Sequence, residues 1–109
     1  MIGAPHMLES LLGNATIEKI LLYLHVYGEG YGRQISRIFG IPFNGVYQQV
    51  RRLENGGIIA GVNCGRTRIL RINPRYPFKK ELTALLARAM EFIPEESKKR
   101  YFTNRTRPQ

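Results

Sequence analysis

Residues 41–57 have the sequence IPFNGVYQQVRRLENGG, in which apolar side chains recur with the period of a helix. Val46, Val50 and Leu53 follow one another at intervals of four and three residues, which places them on one helical face. Pro42 suits the first helical position, because its missing N–H would have no partner there. Glycines at positions 56 and 57 then end the helix. The pattern predicts a helix over residues 42–55 with one buried stripe.

The other faces of this predicted helix carry groups that can meet a nucleic acid. The positions are Asn44, Gly45, Tyr47, Gln48, Arg51 and Arg52. Gln can form two hydrogen bonds with adenine and Arg two with guanine, while Tyr can contact a phosphate or a thymine methyl. Gly45 would let the backbone approach DNA closely, or it would accommodate packing against the preceding helix. A solvated helix face is the alternative for the whole set, and the basic segments around it favour contact with DNA.

Helical patterns also precede this segment. Residues 8–12 and 17–24 carry apolar side chains at helical spacing, and Asn14 between them can cap the second helix. A short helix over residues 32–39 follows and ends at Gly40. It carries Arg33 and Arg37 away from its apolar face. We expect these two arginines either to bind the DNA backbone or to be merely exposed to solvent.

A basic two-stranded ribbon is predicted after the helix. Residues 58–62 and 68–72 have the composition of strands, and residues 63–67 have that of a turn. The tip carries Arg66, Thr67 and Arg68. Long cationic side chains at such a tip can reach a minor groove or the flanking phosphates. Protection of a strand edge is the alternative, although further arginines at 71 and 75 exceed that need.

The C-terminal part predicts one more helix and a flexible end. This helix begins near Phe78, and Pro94 marks its end. The apolar stripes of the first and last helices are either core or, as we expect, a homodimer interface, because an additional terminal helix needs a surface to cover it. The positions are Leu8, Leu11, Leu12, Leu82, Leu85, Leu86, Ala89 and Ile93. Residues 94–109 are basic and poor in apolar groups, so we expect a flexible tail.

Charge is concentrated in one segment of the 109-residue chain. Residues 33–80 contain ten Lys or Arg against Glu54 alone, which gives 10 − 1 = +9 and equals the net charge of the whole chain. The remaining residues hold seven bases and seven acids. A positive field focused in this way is typical of a polyanion-binding surface, and nucleic acid is the first partner to expect.

Composition argues against several classes of function. The sequence has no Asp and no spacing typical of a nucleophilic or metal catalyst, so we expect no enzymatic activity, no cofactor and no metal site. We expect no membrane span, since no apolar run approaches the required length. One cysteine and no recognisable signal peptide favour the cytoplasm. Residues 1–7 resemble a cloning remnant, receive no functional role and are expected to be disordered.

The predicted order of helix, helix, glycine turn, helix, ribbon and helix resembles a winged helix-turn-helix domain. The spacing of Val46, Val50, Leu53-Glu54 and Gly57-Ile58, followed by Gly65-Arg66-Thr67-Arg68, is similar to MarR-like and ArsR-like transcriptional regulators. The resemblance implies a mainly α fold with a small antiparallel β-ribbon over residues 8–93. It also implies that residues 42–55 are the recognition helix, that residues 63–68 are the wing, and that the terminal helices form a homodimer interface.

We therefore expect a sequence-specific regulator of transcription that binds double-stranded DNA as a homodimer, and we expect a repressor. The recognition helix would enter the major groove and the wing would contact the minor groove or the backbone. One alternative is a protein-interaction module for a partner such as a nucleotidyltransferase. Another is a non-specific architectural or RNA-binding protein. The sequence identifies neither the operator nor a small-molecule effector.

Overall fold

The fold is mainly helical with a small antiparallel sheet, in a computed structural model that describes residues 7–102. The helices are Glu9–Leu12 (α1), Ala15–Tyr27 (α2), Gly32–Phe39 (α3), Phe43–Asn55 (α4), Lys79–Met90 (α5) and Glu95–Tyr101 (α6). The strands are Gly30–Tyr31 (β1), Ile59–Cys64 (β2) and Thr67–Ile72 (β3). The predicted class, mainly α with a small antiparallel ribbon, is confirmed. Within the described residues, no helix has the length and hydropathy to span a bilayer.

Helix α2 lies at the centre of the core. Ile20, Leu22 and Leu24 are buried, because α3, α4, α5 and the sheet all pack around this helix. The predicted cap is confirmed, since the Asn14 side chain accepts a hydrogen bond of 3.0 Å from the backbone N–H of Ile17. This bond satisfies one of the free donors of the first turn. Helices α1, α3, α4 and α5 all contact α2, so this buried helix fixes their positions.

The sheet has the order β1-β3-β2, with β3 in the middle. Cys64 pairs with Thr67, so the ribbon formed by β2 and β3 is joined by only Gly65 and Arg66. The predicted turn of residues 63–67 was too long, because backbone pairing continues to the tip although the side chains there are polar and exposed. Strand β1 was not predicted, since a two-residue strand has no periodicity of its own.

The prediction of a flexible tail over residues 94–109 is wrong for its first part, where α6 forms. The Tyr101 ring stacks on Phe39 with centroids 4.9 Å apart, and Phe102 is only 8% exposed. The Tyr27 hydroxyl donates to the backbone carbonyl of Tyr101 at 3.1 Å. These contacts dock a helix whose sequence is otherwise polar. The rest of the predicted tail, residues 103–109, lies outside the described residues, as do residues 1–6.

Most of the predicted dimer interface lies in the core of a single chain. The buried members are Leu8, Leu86, Ala89 and Ile93. The members packed partly buried against the same core are Leu12, Leu82 and Leu85. The assignment of the four buried residues to an interface is wrong, because α1 and α5 pack their apolar sides on α2 within the same chain. The assignment of the three partly buried leucines remains a prediction. Leu11 differs from the others, since 67% of its surface is exposed.

Candidate nucleic-acid interface

The outer face of α4 collects one group of the predicted contact residues. Burial of Val46, Val50 and Leu53 orients α4, so its opposite face is exposed to solvent. A shallow depression on this face is lined by Asn44, Tyr47, Gln48, Arg51, Arg52 and Asn55. Asn55 was not among the predicted contacts. The face offers amide and guanidinium groups, which are the side chains that most often form paired hydrogen bonds with base edges.

Gly45 also lies in the first turn of α4. A Cβ built at this position would have no heavy atom within 4 Å, apart from its chain neighbours and its own helix. The alternative in which Gly45 accommodates packing against the preceding helix therefore has no support in the structure. The backbone here is open toward the outside of the molecule, as a close approach by a ligand requires.

A second predicted group lines a groove between α3, α4 and the ribbon. The groove has a volume of about 710 Å³ and a floor that includes Val50 and Leu70. Its rim carries the arginines Arg33, Arg37, Arg51, Arg66 and Arg68, and Thr67 lies beside them. Glu54 is the acidic residue in this lining. The fold therefore brings arginines from three separate segments of the chain to one concave surface.

Arginine and aromatic side chains alternate along one side of the groove. The Arg33 guanidinium lies 4.2 Å from the centroid of the Phe43 ring, and Arg51 lies 5.9 Å from that of Tyr47. The two ring centroids are 6.1 Å apart. Each cation–π contact at an exposed site contributes roughly 0.5–1 kcal/mol. The rings thereby restrict the two arginines, which reduces the entropy that they would lose on binding a ligand.

Arg68 is held by groups of the same chain. Its guanidinium lies 2.9 Å and 3.0 Å from Glu54 Oε2 and donates to Asn63 Oδ1 at 2.9 Å. This side chain passes over Gly61, where a Cβ would clash with both Arg68 and Glu54. The pair fastens the ribbon to α4. Sequence reasoning treated Arg68 as a contact residue and missed its partner, because the pairing depends on the position of the ribbon.

The other predicted arginines have no acidic partner among the described residues. Within residues 7–102, no ion pair engages Arg33, Arg37, Arg51, Arg52 or Arg66. Arg66 occupies the ribbon tip, where the Thr67 hydroxyl donates to the Cys64 carbonyl at 2.9 Å and closes the turn. Thr67 therefore shapes the tip, whereas Arg66 projects from it into solvent.

Two titratable groups lie away from this surface. His25 is half-buried in α2, and burial lowers the pKa of its imidazole, because the charged form is poorly solvated there. Glu18 is fully buried and accepts a 2.8 Å hydrogen bond from the backbone N–H of Leu8, which anchors α1. Sequence reasoning missed this role, although an acid between Ile17 and Ile20 was the available signal. The described residues contain no cluster of three metal-binding side chains.

The fold of the chain is similar to that of solved structures. No protein-family model matches the sequence, and no curated protein matches it. One similar structure is described as the X-ray crystal structure of YusO protein from Bacillus subtilis, with a TM-score of 0.58 and 24% sequence identity. The alignment covers 84% of this chain and 73% of that chain. A likeness at this identity concerns the fold alone.

Proposed function

We propose that this chain is a winged helix-turn-helix regulator of transcription that binds double-stranded DNA with sequence specificity. The observation that carries the proposal is a continuous surface on which the outer face of α4 meets the arginine-lined groove, with Tyr47 and Arg51 lining both. In this proposal α4 is the recognition helix and the ribbon tip over residues 63–68 is the wing. The positive segment 33–80 supplies the attraction to phosphate.

The proposed contacts divide between base edges and the backbone. Gln48 and Arg51 lie on the outer face of α4, where they would reach base edges in a major groove. Arg33 and Arg37 on α3 would bind phosphates of the flanking strand. Arg66 would contact the minor groove or its phosphates from the ribbon tip. Arg68 would act indirectly, by holding the ribbon against α4 through Glu54.

Assembly as a homodimer remains part of the proposal, and so does repression. A two-fold dimer would place two recognition helices about one DNA turn apart, roughly 34 Å, and would match a palindromic site. Leu11 is the predicted interface residue that the chain leaves mostly exposed. The other predicted positions contribute little accessible surface, so the partner would contact α1 around Leu11.

Fluorescence anisotropy tests the proposal directly. Labelled duplexes from the upstream region of the gene and a scrambled control are titrated at about 50 and 200 mM salt. Site-preferring binding is expected. Binding that ignores sequence and is lost with salt would leave a non-specific polyanion binder. Absence of binding would redirect the search to a protein partner.

Two variants test which residues contact base edges and which contact phosphates. Arg51→Ala is expected to reduce discrimination at one base pair by about 1–3 kcal/mol, because it removes a base contact. Arg66→Ala is expected to weaken binding to all duplexes similarly, because it removes a phosphate contact. Equal effects of the two variants on every duplex would contradict the assignment. Arg88→Ala on α5 is the matched control, because this arginine is exposed but lies outside the groove and the α4 face.

A further inference from the structure

Contact with phosphates does not account for the floor of the groove between α3, α4 and the ribbon. Phosphates need hydrogen-bond donors, and the rim supplies them as arginines. The lining also includes apolar side chains, but Val50 and Leu70 belong to the core and are only 6% and 2% exposed. The apolar surface that a ligand could cover therefore consists of the aromatic rings. Such a surface gains nothing from a charged, hydrated phosphate chain, so a second type of group is expected to cover it.

Aromatic rings stand at the edges of this groove. Tyr31 is 36% exposed and Tyr47 is 47% exposed, and both contribute to the lining. Tyr31 lies in β1, where backbone pairing with Ile69 in β3 fixes its position. The Phe43 ring lies between them in the sequence and is covered on one side by Arg33. Rings and guanidinium planes at such positions are the surfaces on which nucleobases stack.

The size and charge of the groove fit one nucleotide. Its volume of about 710 Å³ falls within the range of roughly 300–1,000 Å³ typical of small-ligand sites. The guanidinium groups of Arg33 and Arg37 line the groove without an ion pair to the described residues, and they can bind phosphate oxygens in pairs. The aromatic rings and the arginines of the groove together suit a ligand that has an aromatic base at one end and phosphates at the other.

We propose that this groove holds an unpaired nucleotide of a DNA strand, with its base stacked against Tyr31 and its phosphates bound by Arg33 and Arg37. This inference rests on the proposed function, because the unpaired nucleotide belongs to a DNA strand whose duplex part would be bound at α4. Bases within a duplex are stacked on each other and cannot offer their faces to the groove. Since Tyr47 and Arg51 line both surfaces, a strand leaving the duplex on α4 passes directly into the groove.

The test compares one duplex in two forms, blunt and with a single-stranded extension of about four nucleotides. Both are titrated with the full chain by fluorescence anisotropy at the same salt concentration. The variant Tyr31→Leu keeps an apolar side chain but removes the aromatic face. The matched control is Phe92→Leu, whose ring just after α5 also lies beneath an arginine, Arg88, at 5.2 Å, but outside the groove. Thermal unfolding of each variant verifies that it is folded.

The extension is expected to tighten binding by about tenfold, in keeping with one base stacked on an aromatic ring. Tyr31→Leu is expected to remove this gain, while Phe92→Leu retains both the gain and the affinity for the blunt duplex. Equal affinity of the wild-type chain for both forms would overturn the inference and leave duplex binding intact. A gain that survives Tyr31→Leu would overturn it as well.

Two further outcomes separate this inference from the proposed function. Extension-dependent binding that requires Tyr31, with no preference for any duplex sequence, would support the groove and contradict a sequence-specific regulator. Adenosine monophosphate is added as a competitor in a parallel titration. If it displaces the blunt duplex from the wild-type chain but not from Tyr31→Leu, and the extension brings no gain, the groove holds a free nucleotide and the proposal is wrong.

Discussion

Gly45 lies in the first turn of α4 with open space where a Cβ would be. Gly45→Ala is expected to raise the free energy of unfolding by roughly 0.5 kcal/mol, because Ala restricts the unfolded chain and favours the helix. The same substitution is expected to weaken duplex binding if the backbone approaches DNA at this point. Urea denaturation and fluorescence anisotropy measure the two effects. Unchanged or tighter binding of the variant would show that no ligand approaches Gly45 closely.

His25 predicts a dependence of stability on pH. Burial lowers the pKa of its imidazole in the folded state, so the unfolded state binds the proton first as pH falls below about 6.5. Stability that is fully present above this value is therefore lost as pH falls toward the folded-state pKa. His25→Gln is expected to reduce the loss of unfolding free energy between about pH 7.5 and pH 5.5. An identical loss in variant and wild type would contradict this assignment.

At the scale of elements, two of the three arginines in the ribbon, Arg66 and Arg68, have different expected effects. Arg68 is paired with Glu54, whereas Arg66 has no ion pair with the described residues. Arg68→Ala is expected to lower stability by up to about 1 kcal/mol, as for a partly exposed ion pair, and to weaken DNA binding less than Arg66→Ala does. Glu54→Gln serves as the control, because it breaks the same pair from α4. Stronger loss of DNA binding in Arg68→Ala than in Arg66→Ala would identify Arg68 as a direct contact.

Helix α6 depends on its last two aromatic residues. Phe102→Ala is expected to lower the free energy of unfolding by about 2 kcal/mol, less than for a central core site because a terminal helix can undock. Hydrogen exchange in α6 is expected to become faster while that in α2 is unchanged. Phe92→Ala provides the comparison, since that ring is 57% exposed and its removal is expected to change stability by less than about 0.5 kcal/mol. Equal stability of both variants would contradict docking of α6.

Helices α2 to α5 could be predicted because each buries a stripe of apolar residues with helical spacing. Helix α6 could not, since its sequence EESKKRY has one bulky apolar residue and its position depends on Phe39, far away in the sequence. The exposed face of α4 could also be predicted, because the spacing of its buried apolar residues shows which side faces the core. The pair of Arg68 and Glu54 did not, because it requires the ribbon to fold back over α4.

At the scale of the whole molecule, several arginines of the described residues lie on one surface without an ion pair, and this predicts a salt dependence. Three proposed phosphate contacts, Arg33, Arg37 and Arg66, have no ion pair with the described residues. At about 0.9 per phosphate contact, the slope of log K against log salt is expected to be roughly −2.7 for one domain. A dimer that engages DNA with both domains is expected to double it. Anisotropy titrations at several salt concentrations give the slope, and a value near zero would contradict phosphate contact.

The leucines of α1 and α5 show why the oligomeric state is difficult to predict from the sequence. An apolar stripe has the same spacing whether it faces a neighbouring helix or a second copy of the chain. The location of charged residues is easier to predict, because buried arginines are rare and a cluster of them in the sequence must contact solvent or an anion.

Analytical ultracentrifugation of the wild type and Leu11→Glu tests the proposed dimer. A monomeric wild type would exclude it.

The ribbon tip offers a single thiol to which a chemical label can be attached. Cys64 is the single cysteine of the sequence, and it is exposed beside the tip. A thiol-reactive fluorophore or spin label would therefore modify this one position, with no need to replace other cysteines. The label would stand next to Arg66, so its signal would change when a ligand approaches the tip and would stay constant when a ligand binds elsewhere.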